Sequence, residues 1–301
     1  MARLTGIVLG AAAGGGYPQW NCRCPVCRLA WESDPRVKPR TQASLAVSGD
    51  GRSWILLNAS PDLRAQIART PALHPRGETR DSPIGAVFLT GTEVDQIAGL
   101  LNLRERQPFD LHATAETLAV LHANPVFAVL ARDTVQRRAI SLNTPFALPG
   151  GLEVELFAVA GKVPLYMEDP SRQMAAEPGG NVGVEVHMAG ARLVFIPGTA
   201  GLDQGLRARL ERADVVLFDG TLFADDEMIR LGVGEKTGRR MGHMPVGGPD
   251  GSLAVLTGLT NRRIYIHLNN TNPMLIDGSP ERTAVEAEGW EVAFDGLRIE
   301  L

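Results

Sequence analysis

Cysteine is scarce in this 301-residue chain: there are 3, all between positions 22 and 27. That excludes the scattered disulfide framework of a small secreted domain. Long apolar runs are absent, and none reaches the roughly 20 residues of a membrane-spanning helix. An excess of positive charge is missing too. Lys and Arg number 30 against 34 Asp and Glu, a net charge of -4, so nothing draws the chain generally to nucleic acid or an anionic membrane surface. Aromatics make up only 5%, whereas there are 33 Gly and 20 Pro, which predicts many turns and short elements. With 44% hydrophobic and 21% charged residues the chain can bury a full core. The opening Met1-Ala2-Arg3-Leu4-Thr5-Gly6-Ile7-Val8-Leu9-Gly10 has one positive charge and a short apolar stretch. It runs into Gly-rich sequence rather than a cleavage site, so it reads as a first buried strand. Clustered cysteines without a secretory signal predict a reducing cytoplasm.

What is present patterns well. Apolar alternation and short apolar runs predict strands over Thr5–Leu9, Ser44–Val47, Ser53–Leu57, Ala86–Leu89, Leu152–Ala158, Val182–Val186, Arg192–Ile196, Val215–Phe218 and Arg263–His267. Helical spacing and start signals predict helices over Pro61–Arg69, Asp95–Leu103, Ala115–Leu121, Leu202–Ala213, Asp250–Leu259 and Pro280–Glu288. The three strands from 152 to 196 have no helices between them, which argues against a doubly wound parallel sheet. The expectation is an α/β (α+β) fold, a four-layer αββα sandwich in one domain over 1–301. The loops Pro71–Pro83 and Lys162–Gly180 are the longest irregular stretches, and such loops often bind ligands.

The run Asn21-Cys22-Arg23-Cys24-Pro25-Val26-Cys27 places three thiolates on one turn, close enough to share a zinc ion. Three free thiols, or one disulfide and a spare, is the plainer reading. Three ligands do not close a structural zinc site, so a fourth has to come from far along the chain. The Gly-rich stretch before it, Gly10 to Gly16, is no phosphate loop: the Gly-Lys-[Ser/Thr] ending is missing and no helix follows directly.

A second constellation lies at Thr90-Gly91-Thr92-Glu93-Val94-Asp95-Gln96-Ile97-Ala98-Gly99-Leu100, a polar turn between a strand and a helix start. Here the chain resembles the metallo-β-lactamase superfamily, whose members carry Thr-His-x-His-x-Asp-His-x-x-Gly-Leu. Thr90, Asp95, Gly99 and Leu100 keep that frame, while Gly91, Glu93 and Gln96 stand in the three histidine places. Asp95 either binds metal or caps the helix. His267, at the end of Ile264-Tyr265-Ile266-His267, falls where the superfamily places its last metal-binding His; a hydrogen-bonded structural His is the alternative. Asn270 falls where relatives with the same cysteine loop place a further His, so it either supplies the fourth zinc contact or holds the loop. Asp219 ends a buried strand before Gly220, and either belongs to the site or forms a turn. His243, in Gly242-His243-Met244, resembles the Gly-His turn beside the superfamily site. Thr199, in Gly198-Thr199-Ala200-Gly201, stands where hydrolases carry a metal-bridging carboxylate. Too few N and O ligands remain for a di-zinc hydrolase. A mononuclear site with open positions resembles the ligand set of iron(II) oxygen chemistry, one His short of the usual pair.

The blocks Gly14 to Cys22, Leu57 to Asp62, Gly161 to Leu165, Phe218-Asp219-Gly220-Thr221, Met241-Gly242-His243 and His267-Leu268-Asn269-Asn270-Thr271-Asn272-Pro273 follow one another across nearly the whole chain. Together they resemble the pyrroloquinoline quinone biosynthesis protein B family. The resemblance implies a lactamase-like fold, a structural zinc on the knuckle near 21–28 and a second, active-face metal. It implies a role in making the redox cofactor, as an iron-dependent hydroxylase of the tyrosine moiety of a peptide-derived precursor. The alternative is a non-catalytic carrier that helps pass the quinone or its precursor to the periplasm. The active-face metal maps to Asp95, Gln96 and His267, with Fe(II) or another divalent ion. Gln96 departs from the family's His, and an amide is a weaker iron ligand. In the enzyme reading Ser60, Asp62, Asp219 and His243 line the pocket. The implied partners are the tyrosine- or quinone-type precursor, other proteins of the pathway and a second copy in a homodimer.

Overall fold

The computed structural model describes residues 3–77, 79–162, 164–167 and 180–301. The Lys162–Gly180 loop therefore lies mostly outside the described residues. In chain order the strands are β1 (Thr5–Gly10), β2 (Ser44–Ser48), β3 (Trp54–Leu57), β4 (Ile84–Phe88), β5 (Phe109–Ala113), β6 (Val135–Ala139), β7 (Phe146–Ala147), β8 (Glu153–Ala158), β9 (Val182–Met188), β10 (Ala191–Ile196), β11 (Val215–Asp219), β12 (Arg262–Ile266), β13 (Trp290–Val292) and β14 (Arg298–Glu300). The helices are α1 (Pro25–Trp31), α2 (Leu63–Arg69), α3 (Val94–Ile97), α4 (Ala115–Ala123), α5 (Gln204–Arg212), α6 (Glu227–Arg230), α7 (Ser252–Val255) and α8 (Pro280–Ala287), with short 3₁₀ turns between.

Two mixed sheets result, β14-β1-β2-β3-β4-β5-β6 and β13-β12-β11-β10-β9-β8-β7. Each has an antiparallel part and a parallel part: β3 to β6 run parallel in the first, β10 to β13 in the second. The sheets face each other through one core, in which Val8, Leu45, Leu57 and Phe88 meet Val154, Val184, Leu193 and Phe195. The far face of the first sheet, with Leu56, Val87 and Leu111, is covered by Leu63 of α2 and Leu121 of α4. Apolar residues that alternate in the sequence thus fill opposite faces of one sheet, as the period of a strand requires. The αββα sandwich read from the sequence is the observed architecture.

All nine expected strands form, with ends shifted by one or two residues. Five others escaped notice. β6 reads Val-Gln-Arg-Arg-Ala and lies at a sheet edge, where charge on a strand is normal. β7 has 2 residues, and β13 and β14 have 3 each, too short for a period to show. β5 breaks its alternation with a buried histidine, His112. The helix expected over Asp250–Leu259 shrinks to Ser252–Val255, and the one expected over Asp95–Leu103 starts at Val94 and tightens to 3₁₀ after Ile97. Gly251 and Gly258 bound the first. The second is pressed against the turn before α2: a Cβ on Gly99 would lie 2.0 Å from the Ser60 carbonyl oxygen.

For the site, the sheet topology decides the location. The carboxyl ends of β4, β10, β11 and β12 open on one side of the sandwich, the side where parallel strands place loops with free polar ends.

Candidate active site and cysteine knuckle

At those strand ends lies a cavity of about 570 Å³. Its lining includes Asp95 and Gln96 after β4, Gly198 after β10, Thr221 after β11, His267 and Asn269 after β12, and His243 from the loop before α7. Gly198 lets His243 pack close, since a Cβ there would stand 3.0 Å from its Cε1.

His267 sits at the floor. Its backbone takes φ of 62°, the left-handed region that non-glycine residues avoid. It is 8% exposed, and both ring nitrogens have partners. Nε2 lies 2.9 Å from Asp95 Oδ2, and Nδ1 lies 2.8 Å from Thr221 Oγ1. Thr221 donates its hydroxyl proton to Asp219 Oδ1 at 2.6 Å, so its oxygen accepts from His267 Nδ1–H. With Nδ1 protonated, the Nε2 contact to Asp95 makes His267 an imidazolium against a carboxylate. Burial pushes the His267 pKa down, but the hydrogen bond and charge of Asp95 prevail and raise it. Burial likewise pushes Asp95 up, and the bond from His267 brings it below the ordinary carboxylate range.

His243 stacks on His267 with ring centroids 5.2 Å apart. Its Nδ1 lies 2.8 Å from Asp219 Oδ2 and 3.0 Å from Thr221 Oγ1. Asp219 is wholly buried and also accepts the Thr199 and Thr221 amides at 2.8 and 3.0 Å. His243 Nδ1–H is the donor to that carboxylate, which leaves Nε2 of this cavity-lining ring as an acceptor. A continuous chain thus runs Asp95–His267–Thr221–Asp219–His243.

Four of the residues singled out in the sequence (Asp95, His267, Asp219 and His243) therefore come together. Asp219 stands one layer behind the cavity, bonded to His243 rather than lining the wall. Ser60 and Asp62 lie elsewhere. The Ser60 hydroxyl donates to Gln66 at 3.0 Å, and Asp62 accepts from the Gln42 amide and side chain at 2.9 and 3.0 Å. Both hold the loop before α2. Asp95 is not the helix cap: Glu93 is, and it forms a capping box with Gln96. Gln96 Oε1 accepts the Glu93 amide proton at 3.0 Å, so its one ligating atom is turned to the backbone. Thr221 was missed as the central residue. Its signal was the Asp-Gly-Thr turn after a buried strand, in which only Asp219 drew attention. Lys162, whose ammonium lies 3.7 Å from Glu93, also lines the wall, as does Asn181, which carried no signal.

The active face can be tested for a metal on its donors. Asp219, His243 and His267 place one ligand atom each within 4.8 Å of one another. The Thr221 oxygen already stands among these atoms, 2.6 to 3.0 Å away, so that cluster does not fit an ion. Asp95 Oδ2 and His267 Nε2 fit better, as a carboxylate and an imidazole at the cavity floor. Gln96 does not fit as their third partner.

The cysteines form a separate cluster. Cys22, Cys24 and Cys27 bring their sulfurs within 4.8 Å of one another. Cys24 caps α1, accepting the Cys27 amide at 3.4 Å, and Pro25 occupies the first turn where no amide proton is needed. The Asn270 side-chain amide nitrogen lies 3.3 Å from the sulfurs of both Cys22 and Cys27, and the Asn270 backbone carbonyl oxygen lies 3.7 Å from the sulfurs of Cys24 and Cys27. The Cys24 thiol bonds to Cys27 and lowers its pKa, while its own is raised by holding that proton. Three converging soft sulfurs with an amide at the fourth corner fit a tetrahedral zinc ion. Turning that amide by half a turn presents its oxygen in place of its nitrogen.

Residues 53–267 match the family described as Beta-lactamase superfamily domain. Coenzyme PQQ synthesis protein B of Methylorubrum extorquens is 55% identical over 296 residues, covering 98% of this chain and 99% of the relative. Its counterpart in Gluconacetobacter diazotrophicus is 54% identical, covering 97% and 98%. The 1.98 Å crystal structure of Zn²⁺-bound PqqB from Methylobacterium extorquens matches with a TM-score of 0.96 at 54% identity, over 99% of this chain and 100% of that one. A diphosphatase of the PhnP family matches with a TM-score of 0.70 at 20% identity, which shows the shared fold. The chain belongs to the coenzyme PQQ synthesis protein B family, within the β-lactamase superfamily.

Proposed function

We propose that this member of the coenzyme PQQ synthesis protein B family acts in the cytoplasmic biosynthesis of pyrroloquinoline quinone, as a hydroxylase of the tyrosine moiety of the peptide-derived precursor. The observation that carries the reading is the Asp95–His267 pair, buried at the floor of a cavity of about 570 Å³. A zinc ion on Cys22, Cys24, Cys27 and Asn270 is assigned to structure. A divalent ion, iron(II) in this reading, would be held by Asp95 and His267. When bound there, it supplies activation of dioxygen.

The chain's own residues supply the rest. The Thr221 hydroxyl and Asp219 fix the tautomer of His267, keeping Nε2 aimed at the cavity floor. His243, oriented by Asp219, presents Nε2 to accept a proton from a phenol. The strand ends and the Glu93–Lys162 wall shield the reacting ring from bulk water. The net change converts an aromatic C–H to C–OH. One oxygen atom of O₂ enters the ring and the other leaves as water, with two electrons and two protons from a soluble two-electron reductant.

The engaged Gln96 oxygen favours a second reading, a carrier that binds the precursor or quinone without turnover, because it removes one ligand from the active face. In either reading the partners are the precursor and other pathway proteins. Oxygen uptake by the iron(II)-loaded protein with a tyrosine-containing precursor separates the two. Uptake matched by hydroxylated product, and lost in Asp95→Ala and His267→Ala, supports the enzyme. Saturable binding with no uptake supports the carrier.

A further inference from the structure

The turn that holds His267 also serves the cysteine cluster. His267 and Asn270 are three residues apart, and the strained φ of 62° at His267 persists only where its surroundings impose it. Two crossings join this turn to the N-terminal arm. At the first, Leu268 donates its amide to Ala11 at 2.9 Å and accepts from Ala13 at 2.8 Å. At the second, Asn270 meets the sulfurs of Cys22 and Cys27, both at 3.3 Å. The arm between the crossings contributes Ala13, Gly14 and Gln19 to the cavity wall, and Asn269 between His267 and Asn270 lines it as well. The two crossings make a clamp with the cavity on one side and the cysteines on the other. With the second crossing released, the Leu268 crossing is what still joins arm and turn there among the described residues.

We infer that Asn270 is a positioning residue for His267, so that the state of the cysteine knuckle sets the geometry of the Asp95–His267 pair. Its meaning for catalysis rests on the function proposed above, but the coupling itself does not. Beyond Asn270 the turn is held by Thr271, which donates to Glu227 at 2.5 Å, and by the Asn272 side chain, which donates to Gly220 at 2.8 Å. On the near side the Asn269 amide donates to the Thr221 carbonyl at 2.9 Å, and the Thr221 hydroxyl lies 2.8 Å from His267 Nδ1. A displaced Asn270 therefore pulls on Asn269 and, through Thr221, on the residue that holds the His267 ring.

The test is the ¹H–¹⁵N spectrum of the His267 ring in the full-length protein carrying one equivalent of zinc, assigned by its loss in His267→Ala. The compared variants are Cys27→Ser, Asn270→Ala, Asn270→His and, as a control for general loosening, Val285→Ala in the core under α8. The expected result is loss of the Asp95-bonded Nε2 signature in Cys27→Ser and Asn270→Ala. It is retained in Val285→Ala, and in Asn270→His, which restores a fourth donor. Should Asn270→Ala fail to fold, Asn270→Ser takes its place, with a shift of the same signal expected. An unchanged His267 signature in folded Asn270→Ala or Asn270→Ser overturns the inference, as does an equal change in Val285→Ala. Hydroxylation is read separately. A wild type that fails to hydroxylate but shows the coupling defeats the proposed function alone, and an active enzyme without coupling defeats this inference alone.

Discussion

The cysteine knuckle and the cavity floor are two metal-capable regions of one molecule, joined by a single turn, and they differ in how complete they are. The knuckle has three sulfurs facing one another and an amide at the fourth corner. The three sulfurs converge on one point with the Asn270 amide beside them, so the cluster is shaped for an ion. The cavity floor has its polar groups already paired: Asp95 with His267, both histidines with Thr221, Gln96 with Glu93. The difference teaches that closeness of ligand-type residues does not make a metal site. What counts is whether their lone pairs can be freed: Thr221 ties up Asp219 and the Nδ1 atoms of both histidines, whereas loss of one proton from His267 frees its Nε2 and Asp95 Oδ2 toward the cavity. A structural centre is recognised by completeness, and a reacting centre by a few donors at the edge of open volume.

The largest expected effect comes from breaking the complete region. Removing zinc from the knuckle, or replacing Cys24 or Cys27 by Ser, is expected to unfold the segment from Gln19 to Trp31, because structural zinc contributes on the order of 10 kcal/mol to folding in small zinc modules. Calorimetry before and after chelation should show a lower first transition, and an unchanged melting profile would count against a structural ion. Next is the cavity floor. Asp95→Ala leaves the buried His267 imidazolium uncompensated, with an expected loss of about 3 kcal/mol. Urea midpoints would reveal it, and no loss would mean that the pair is not an ion pair.

A third histidine sharpens the comparison. His112 on β5 is buried, as His267 is, but stacked on Phe88, with ring centroids 4.4 Å apart, and among the described residues neither ring nitrogen has a hydrogen-bond partner. Burial lowers its pKa to about 4 from 6.5. A depressed histidine pKa means that the unfolded chain binds the proton first as pH falls. Its penalty is therefore absent above pH 6.5, grows as pH drops from 6.5 to about 4, and levels off below. The expected loss over that window is up to about 3 kcal/mol, from about 1.4 kcal/mol per pKa unit. Wild type and His112→Phe should diverge in stability only below pH 6.5, and parallel curves would refute the assignment. The smallest effect belongs to Gln96. As a capping-box residue, Gln96→Ala should cost about 1 kcal/mol of stability. It should leave affinity for iron(II) at the active face unchanged, and a tenfold loss of that affinity would restore Gln96 as a ligand.

Much of this was legible in the sequence. Nine strands and the sandwich followed from apolar period, and the knuckle from Cys spacing alone. Asp95, His267 and His243 were legible through the resemblance to the metallo-β-lactamase superfamily, and Asp219 as the acidic end of a buried strand. What stayed hidden has a physical cause in each case. The hydroxyl of Thr221 joins three elements that are distant in sequence, so no local pattern marks it. Gln96 looked like a weakened ligand because sequence position cannot tell whether an amide faces a cavity or its own backbone. Ser60 and Asp62 looked functional because they lie in a block that carries the family resemblance, but their hydrogen bonds turn inward to Gln66 and Gln42. The short edge strands lack the length over which a period can be seen.

The most direct test of the two-region account is metal content by elemental analysis of the wild type, Cys27→Ser and His267→Ala, each purified and then loaded with iron(II). The expected result is zinc lost only in Cys27→Ser, and iron held by the wild type but lost in His267→Ala. Zinc that disappears with His267 and stays when Cys27 is replaced would contradict the assignment of the knuckle to structure and the cavity floor to chemistry.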